Sequence, residues 1–163
     1  MMPTRRVIYV LIIAALTALI VAVYIATEQT RALSVRVPED AAAAVPNGAE
    51  QYRKSVLRWQ TMFLTRDVQT AYALFLEEGG KKDMVHAHTL SHVVGAALYD
   101  RYGLSGLQYC TDDFNYGCYH GLAGRAIEEQ GPAGIAQLMT ACGDRNPTNC
   151  RHGVGHGIMA YTG

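Results

Sequence analysis

Cys110-Thr-Asp-Asp-Phe-Asn-Tyr-Gly-Cys118-Tyr-His120-Gly121 is followed, 32 residues later, by Cys142-Gly-Asp-Arg-Asn-Pro-Thr-Asn-Cys150-Arg-His152-Gly153. Both stretches read Cys-x7-Cys-x-His-Gly. His88 stands a further 32 residues before His120. Rare residue types that coincide repeatedly at one spacing mark an internal repeat. Apolar positions keep the same register: Leu90, Leu122 and Val154 match, as do Val94, Ala126 and Ile158. These two sets are four residues apart, hence on one helical face. In the first copy Glu78 and His86 occupy the places of the cysteines. A period of this length with helix, glycine break, helix and short loop predicts an α-hairpin repeat.

Working outward, the remaining segments also carry helical periodicity. Residues 50 to 64 place Val56, Leu57, Met62, Phe63 and Leu64 on a helix, with Trp59 in a polar surround. Arg66 to Glu78 form a second helix that stops at Gly79-Gly80. A third starts after the N-capping residue Asp83 and runs through Leu98 to a stop at Gly103. The second helices of the hairpins are expected at 104 to 110 and at Pro132 to Cys142, where proline suits the first helical position. No alternating strand pattern occurs. The expected fold is all-α: an N-terminal transmembrane helix followed by a helical-hairpin repeat domain, solenoid-like or a curved array. Gly163 falls on the register of Gly131, so the last copy lacks its second helix, and the chain reads as a fragment.

Toward the N-terminus, Val7 to Ala26 is a run of twenty uncharged residues. As a helix it spans about 30 Å, the thickness of a bilayer core. Arg5 and Arg6 precede it, which keeps the N-terminus cytoplasmic and exports the rest. A cleaved signal peptide is the rival, but the apolar run is long for one and Tyr24 sits where a small residue is wanted before a cut at Ala26. The expected organisation is a cytoplasmic stub and anchor over 1–27, a linker over 28–48 punctuated by Pro38, Pro46 and Gly48, and an extracytoplasmic helical domain over 49–163. The last is long enough for one domain with a core. Localisation follows: a single-pass cell-membrane protein with its domain outside the cytoplasm. Net charge is zero and no basic block occurs beyond the topogenic arginines, which excludes a nucleic-acid partner.

An exported domain permits disulfides. Two local bridges, Cys110–Cys118 and Cys142–Cys150, are the expected pairing, because the repeat copies the whole cassette. Each short loop so closed adds roughly 2–3 kcal/mol on the chain-entropy model. Two other pairings, and a thiolate metal site, are the alternatives. The spacing matches no zinc ribbon.

The chain has six histidines: His86, His88, His92, His120, His152 and His156. His88/His92 and His152/His156 are i,i+4 pairs, about 6 Å apart at Cβ on one helix face. Two such imidazoles can share a metal. The middle copy keeps His120 but has Gly124 in the second position, where a glycine makes room. The expected ligand set is His88, His92, His152 and His156, with His120 as a fifth. Neutral imidazoles suit zinc, copper, iron or nickel without distinguishing them. The four would meet only in a curved or closed array.

Against this stands a structural reading, in which each His-Gly caps a helix and bonds a loop carbonyl. H-E-x-x-H and C-x-x-C-H are absent, which removes the zincin and c-type haem signatures. Asp112, Asp113, Asn115, Asp144 and Asn146 lack the calcium-loop pattern and read as turn and capping residues. Ser91 has no nucleophile-elbow context. Glu128 and Glu129 read as a solvated helix end, and Tyr102, Tyr109, Tyr116, Tyr119 and Tyr161 as packing. Three functional classes follow: a transition-metal-binding module, a disulfide-stapled scaffold for an envelope protein partner, and a haem- or metal-dependent envelope enzyme.

Overall fold

The computed structural model describes residues 5–34, 48–143 and 147–162. Most of the expected linker (residues 35–47), together with Asp144, Asn146 and Gly163, lies outside them. Among the described residues every regular element is helical and no strand occurs.

The chain divides into two units, Met1–Ser34 and Val35–Gly163. The first holds helix α1, Arg5–Ser34. Within it Ile8–Thr27 is long and apolar enough to cross a membrane, and none of that stretch is buried. This fits a membrane anchor or a signal sequence. α1 continues past the apolar run because Glu28, Gln29, Arg31 and Leu33 are good helix formers.

The second unit begins with α2 (Gly48–Thr65) and α3 (Val68–Gly79). Asp67 caps α3 by accepting from the Thr70 amide at 2.8 Å. Trp59, expected among polar groups, is instead completely buried; it packs on Phe63 and edge-on to Phe75. The helical stripe that carries Tyr52, Val56, Trp59 and Phe63 sets this, since 52, 56, 59 and 63 follow the i, i+4, i+7 rule.

Then come α4 (Met84–Tyr102), a 3-10 segment (Gly103–Tyr109), α5 (Gly117–Gln130), α6 (Pro132–Cys142) and α7 (Pro147–Thr162). The expected helix at 104 to 110 is thus a short 3-10 turn, while α6 matches its expected bounds. α5 is the centre of the domain: α4 lies against it, α7 also, and α6 folds back on it. Asp100 of α4, 2 % exposed at its side chain, accepts from Arg125 Nε of α5 at 2.9 Å and from Gln60 Nε2 of α2 at 2.6 Å. This polar clamp joins three helices. Arg125 also has Glu128 Oε2 3.6 Å away, so Glu128 belongs to the clamp rather than to a solvated end.

α5 meets its neighbours at backbone-to-backbone distance. A Cβ on Gly121 would collide with the His92 carbonyl, and one on Gly95 with the Cys118 carbonyl. On the other flank, a Cβ on Gly153 would stand 2.7 Å from Tyr119 Cβ, and one on Gly157 3.0 Å from Gly124 N. The glycine of each later His-Gly pair is therefore a contact surface for the preceding long helix.

Both expected disulfides are present, Cys110–Cys118 and Cys142–Cys150. The double variant Cys142→Ala/Cys150→Ala is expected to lose about 2–3 kcal/mol of stability. Denaturant titration followed by Trp59 fluorescence reads this as a lower midpoint. An unchanged midpoint would show that the bridge contributes nothing to the folded state.

Candidate metal centre

α4 begins at Asp83, whose carboxylate accepts from the His86 amide at 3.1 Å. From that start, His88 and His92 fall one turn apart on a single face. α5 begins after a loop in which Phe114, Asn115 and Tyr116 all have left-handed backbones (φ 53°, 54° and 61°). Three such residues in a row cost conformational energy. Two contacts hold them: the Cys110–Cys118 bridge across the loop, and the Phe114 ring edge-on to Phe75 at 5.5 Å. The loop turns the Phe114 carbonyl onto His88 Nδ1, 2.7 Å away. A carbonyl only accepts, so Nδ1 carries a proton, and the neutral tautomer this selects has its lone pair on His88 Nε2.

That lone pair faces other imidazoles. His92 Nε2 lies 3.0 Å from His88 Nε2 and 3.2 Å from His120 Nδ1. One N–H at His92 Nε2 serves only one of these two neighbours. Nitrogen donors about 2.0–2.1 Å from one tetrahedral ion stand about 3.3 Å from each other. The observed spacings are close to that edge length. His120 is 6 % exposed and its Nε2 is buried with no hydrogen-bond partner.

α7 supplies His152 and His156 to the other side of His120. The His120 ring stacks on His156 at 4.2 Å and lies 5.1 Å from that of His152. Two three-histidine groups result, His88/His92/His120 and His120/His152/His156. In each, one donor atom per residue lies within 4.8 Å of the others, a set that could hold a metal ion. Among the described residues no carboxylate or thiolate belongs to either group.

The electrostatics match the chemistry. Burial, and next the charge of His88 and His156, pushes the His92 imidazolium from 6.5 down to about 3. Burial, and next the charge of His92, does the same to His120, again to about 3. Both rings are thus neutral at physiological pH, the form that binds metals.

All five candidate histidines fall in one connected cluster, but their expected ranking changes. His120 is the shared member, and α5 lies between the two histidine pairs, so they need not face each other. Gly124 makes no room for an imidazole: a side chain there would meet open space. The glycines that matter for closeness are Gly95, Gly121, Gly153 and Gly157. His88 bonds a loop carbonyl, as the capping reading required of each, whereas His92 and His120 have other imidazoles as their hydrogen-bond partners. His86 stays apart, exposed and paired with Asp83 at 2.7 Å.

The Phe114 carbonyl is the participant that sequence reasoning missed. A main-chain oxygen has no residue signature, and three successive left-handed residues are not legible without coordinates. Asp113 accepts from Thr111 at 2.7 Å, a local turn contact as read, whereas Asp112 accepts from Asn149 at 2.7 Å and so ties one cassette to the next.

No protein-family model matches the chain, and no curated protein or solved structure matches it.

Proposed function

We propose that this chain is a membrane-anchored, extracytoplasmic helical-repeat protein that binds a transition metal, with His88, His92 and His120 as the core ligands and His152 and His156 beside them. The observation that carries the reading is the buried His120 ring at the meeting point of two histidine pairs, in a cluster that has no carboxylate among the described residues. His92 Nε2 faces two imidazole nitrogens with at most one N–H to give, and an ion held among the three rings resolves that shortage. The Phe114 carbonyl on His88 Nδ1 supports it, since metal-bound histidines characteristically give their other N–H to such an acceptor. All-nitrogen donation fits zinc, copper, nickel or iron. Rings in contact at 4.2 to 5.2 Å leave no slot for a porphyrin between them.

The repeat belongs to the same proposal. The 32-residue spacing puts one His-Gly at the start of α5 and another in the first turns of α7, and in both the glycine touches the preceding long helix. Export is supported by the two disulfides, which persist in oxidising compartments, and by Arg5 and Arg6, which precede the apolar run of α1. His152 and His156 are exposed, so a bound ion keeps a solvent-facing side. That is the arrangement of catalytic rather than closed structural sites, and it leaves hydrolytic chemistry open to this centre.

Full-length protein, purified in detergent without a histidine tag and stripped with chelator, tests the reading by competition titration with zinc. The expected result is binding that weakens at least about 100-fold in His92→Ala, beyond the range for changes one shell further out, with the helical circular dichroism retained. Failure to bind zinc, copper or nickel, or equal binding by the variant, would overturn it and favour the scaffold.

A further inference from the structure

The two three-histidine groups share one residue, and that residue has two ring nitrogens on opposite edges. Each edge is accounted for differently. Nδ1 of His120 faces His92 Nε2 at 3.2 Å, within the group built on α4. Nε2 is buried and makes no hydrogen bond, and His120 also offers a donor within 4.8 Å of donors on His152 and His156 of α7. The α7 pair has the same i,i+4 spacing as the α4 pair, and their rings are 4.6 and 4.5 Å apart respectively. Gly121 and Gly153 seat the two flanking helices on α5, the approach at Gly121 being the tighter. One histidine on the central helix thus stands between two matching chelating pairs.

We infer that this is a two-ion centre in which His120 bridges: Nδ1 with His88 and His92 holds the first ion, and Nε2 with His152 and His156 holds the second. The inference rests on the metal-binding reading above and extends it to a second site and a shared ligand. Proton balance is simple. With the first ion on Nδ1, neutral His120 carries its proton on Nε2. The second ion replaces that proton, one proton leaves to solvent, and the ring becomes an imidazolate held between two cations. Their charge stabilises the anionic ring, as coordination does for other ligand acids. The stack of His120 on His156, 14° from parallel, must open for this to happen. His156 is exposed, so the change is a side-chain rotation at the surface. The first site, partly enclosed and already at donor spacing, fills first.

Copper(II) distinguishes the outcomes, because two coppers joined by one imidazolate couple antiferromagnetically and lose paramagnetic resonance intensity. Full-length metal-free protein in detergent is titrated with copper(II), freed of excess by gel filtration, and measured for copper per chain and spin per copper. The expected result is two coppers per chain, full spin at the first equivalent and loss of most of it at the second. The variant His152→Ala/His156→Ala, altered only at exposed positions, is expected to hold one copper with full spin. One copper in the parent, or two with undiminished spin, overturns the bridge while leaving the metal-binding reading intact. No copper at all overturns both. His120→Ala is expected to abolish the coupling; because that ring is buried, the exposed double variant decides the matter if it does not fold.

Discussion

Gly121→Ala is expected to destabilise the helical domain by about 2–4 kcal/mol, whereas Gly124→Ala, three residues along the same helix, is expected to stabilise it slightly. Helix propensity favours alanine at both positions by up to about 1 kcal/mol. Their surroundings decide the sign. At Gly121 the new methyl group would run into the carbonyl, carbon and Cα of His92, all main-chain atoms that no rotamer change can move. α4 and α5 must separate, and overpacking that forces backbone shifts costs 1–3 kcal/mol and occasionally more. At Gly124 nothing lies within 4 Å. Separation of α4 from α5 also draws His92 away from His120, so Gly121→Ala is expected to weaken zinc binding as well. Denaturant midpoints read from Trp59, the sole tryptophan and fully buried in the helical domain, measure both variants without interference from α1. Equal midpoints for the two would mean that the close approach of α4 and α5 is not part of the folded state in solution.

The same contrast explains what could be read from sequence. Helix class, the cap at Asp83, the stop at Gly103 and the bounds of α6 follow from local rules, because each depends on residues within one or two turns. The disulfides were legible because the cassette is duplicated. The five histidines were legible as a set for the same reason, but their arrangement was not. Whether His120 is central or peripheral depends on which helices touch, and that is fixed by Gly95, Gly121, Gly153 and Gly157 acting across helices. In a linear reading these glycines look like breaks. Trp59 and Glu128 were misplaced for a related reason: their neighbours are Phe75 and Arg125, and a face that looks polar along one helix is closed by another.

Acid is expected to unfold the metal-free protein well above the pH at which its carboxylates titrate, and bound zinc is expected to shift that transition to lower pH. In the unfolded chain each imidazole takes up a proton below its ordinary 6.5, whereas His92 and His120 in the folded state do so only near 3. Between those limits the unfolded state binds more protons, so stability falls as pH falls. Each such histidine costs about 1 kcal/mol per pH unit across that window. The two are not independent, because the charge of His92 is one cause of the depression at His120. The joint loss between pH 6.5 and 4 is therefore a few kcal/mol, a large part of a typical domain's 5–15 kcal/mol. Above pH 6.5 both rings are neutral in either state and the contribution is fully retained. Zinc binds the neutral rings and only in the folded arrangement, so at 100 times its dissociation constant it adds about 2.7 kcal/mol. That gain shrinks as protons compete for the same nitrogens. Trp59 fluorescence in denaturant, at intervals from pH 7.5 to 4, gives the curve with and without zinc. The His92→Gln variant is expected to flatten it, since one of the two reluctant imidazoles is gone. A parent curve that stays level from pH 6.5 to 4.5 would show that the cluster accepts protons freely, and the neutral, ligand-ready centre would then not be the state of these histidines in solution.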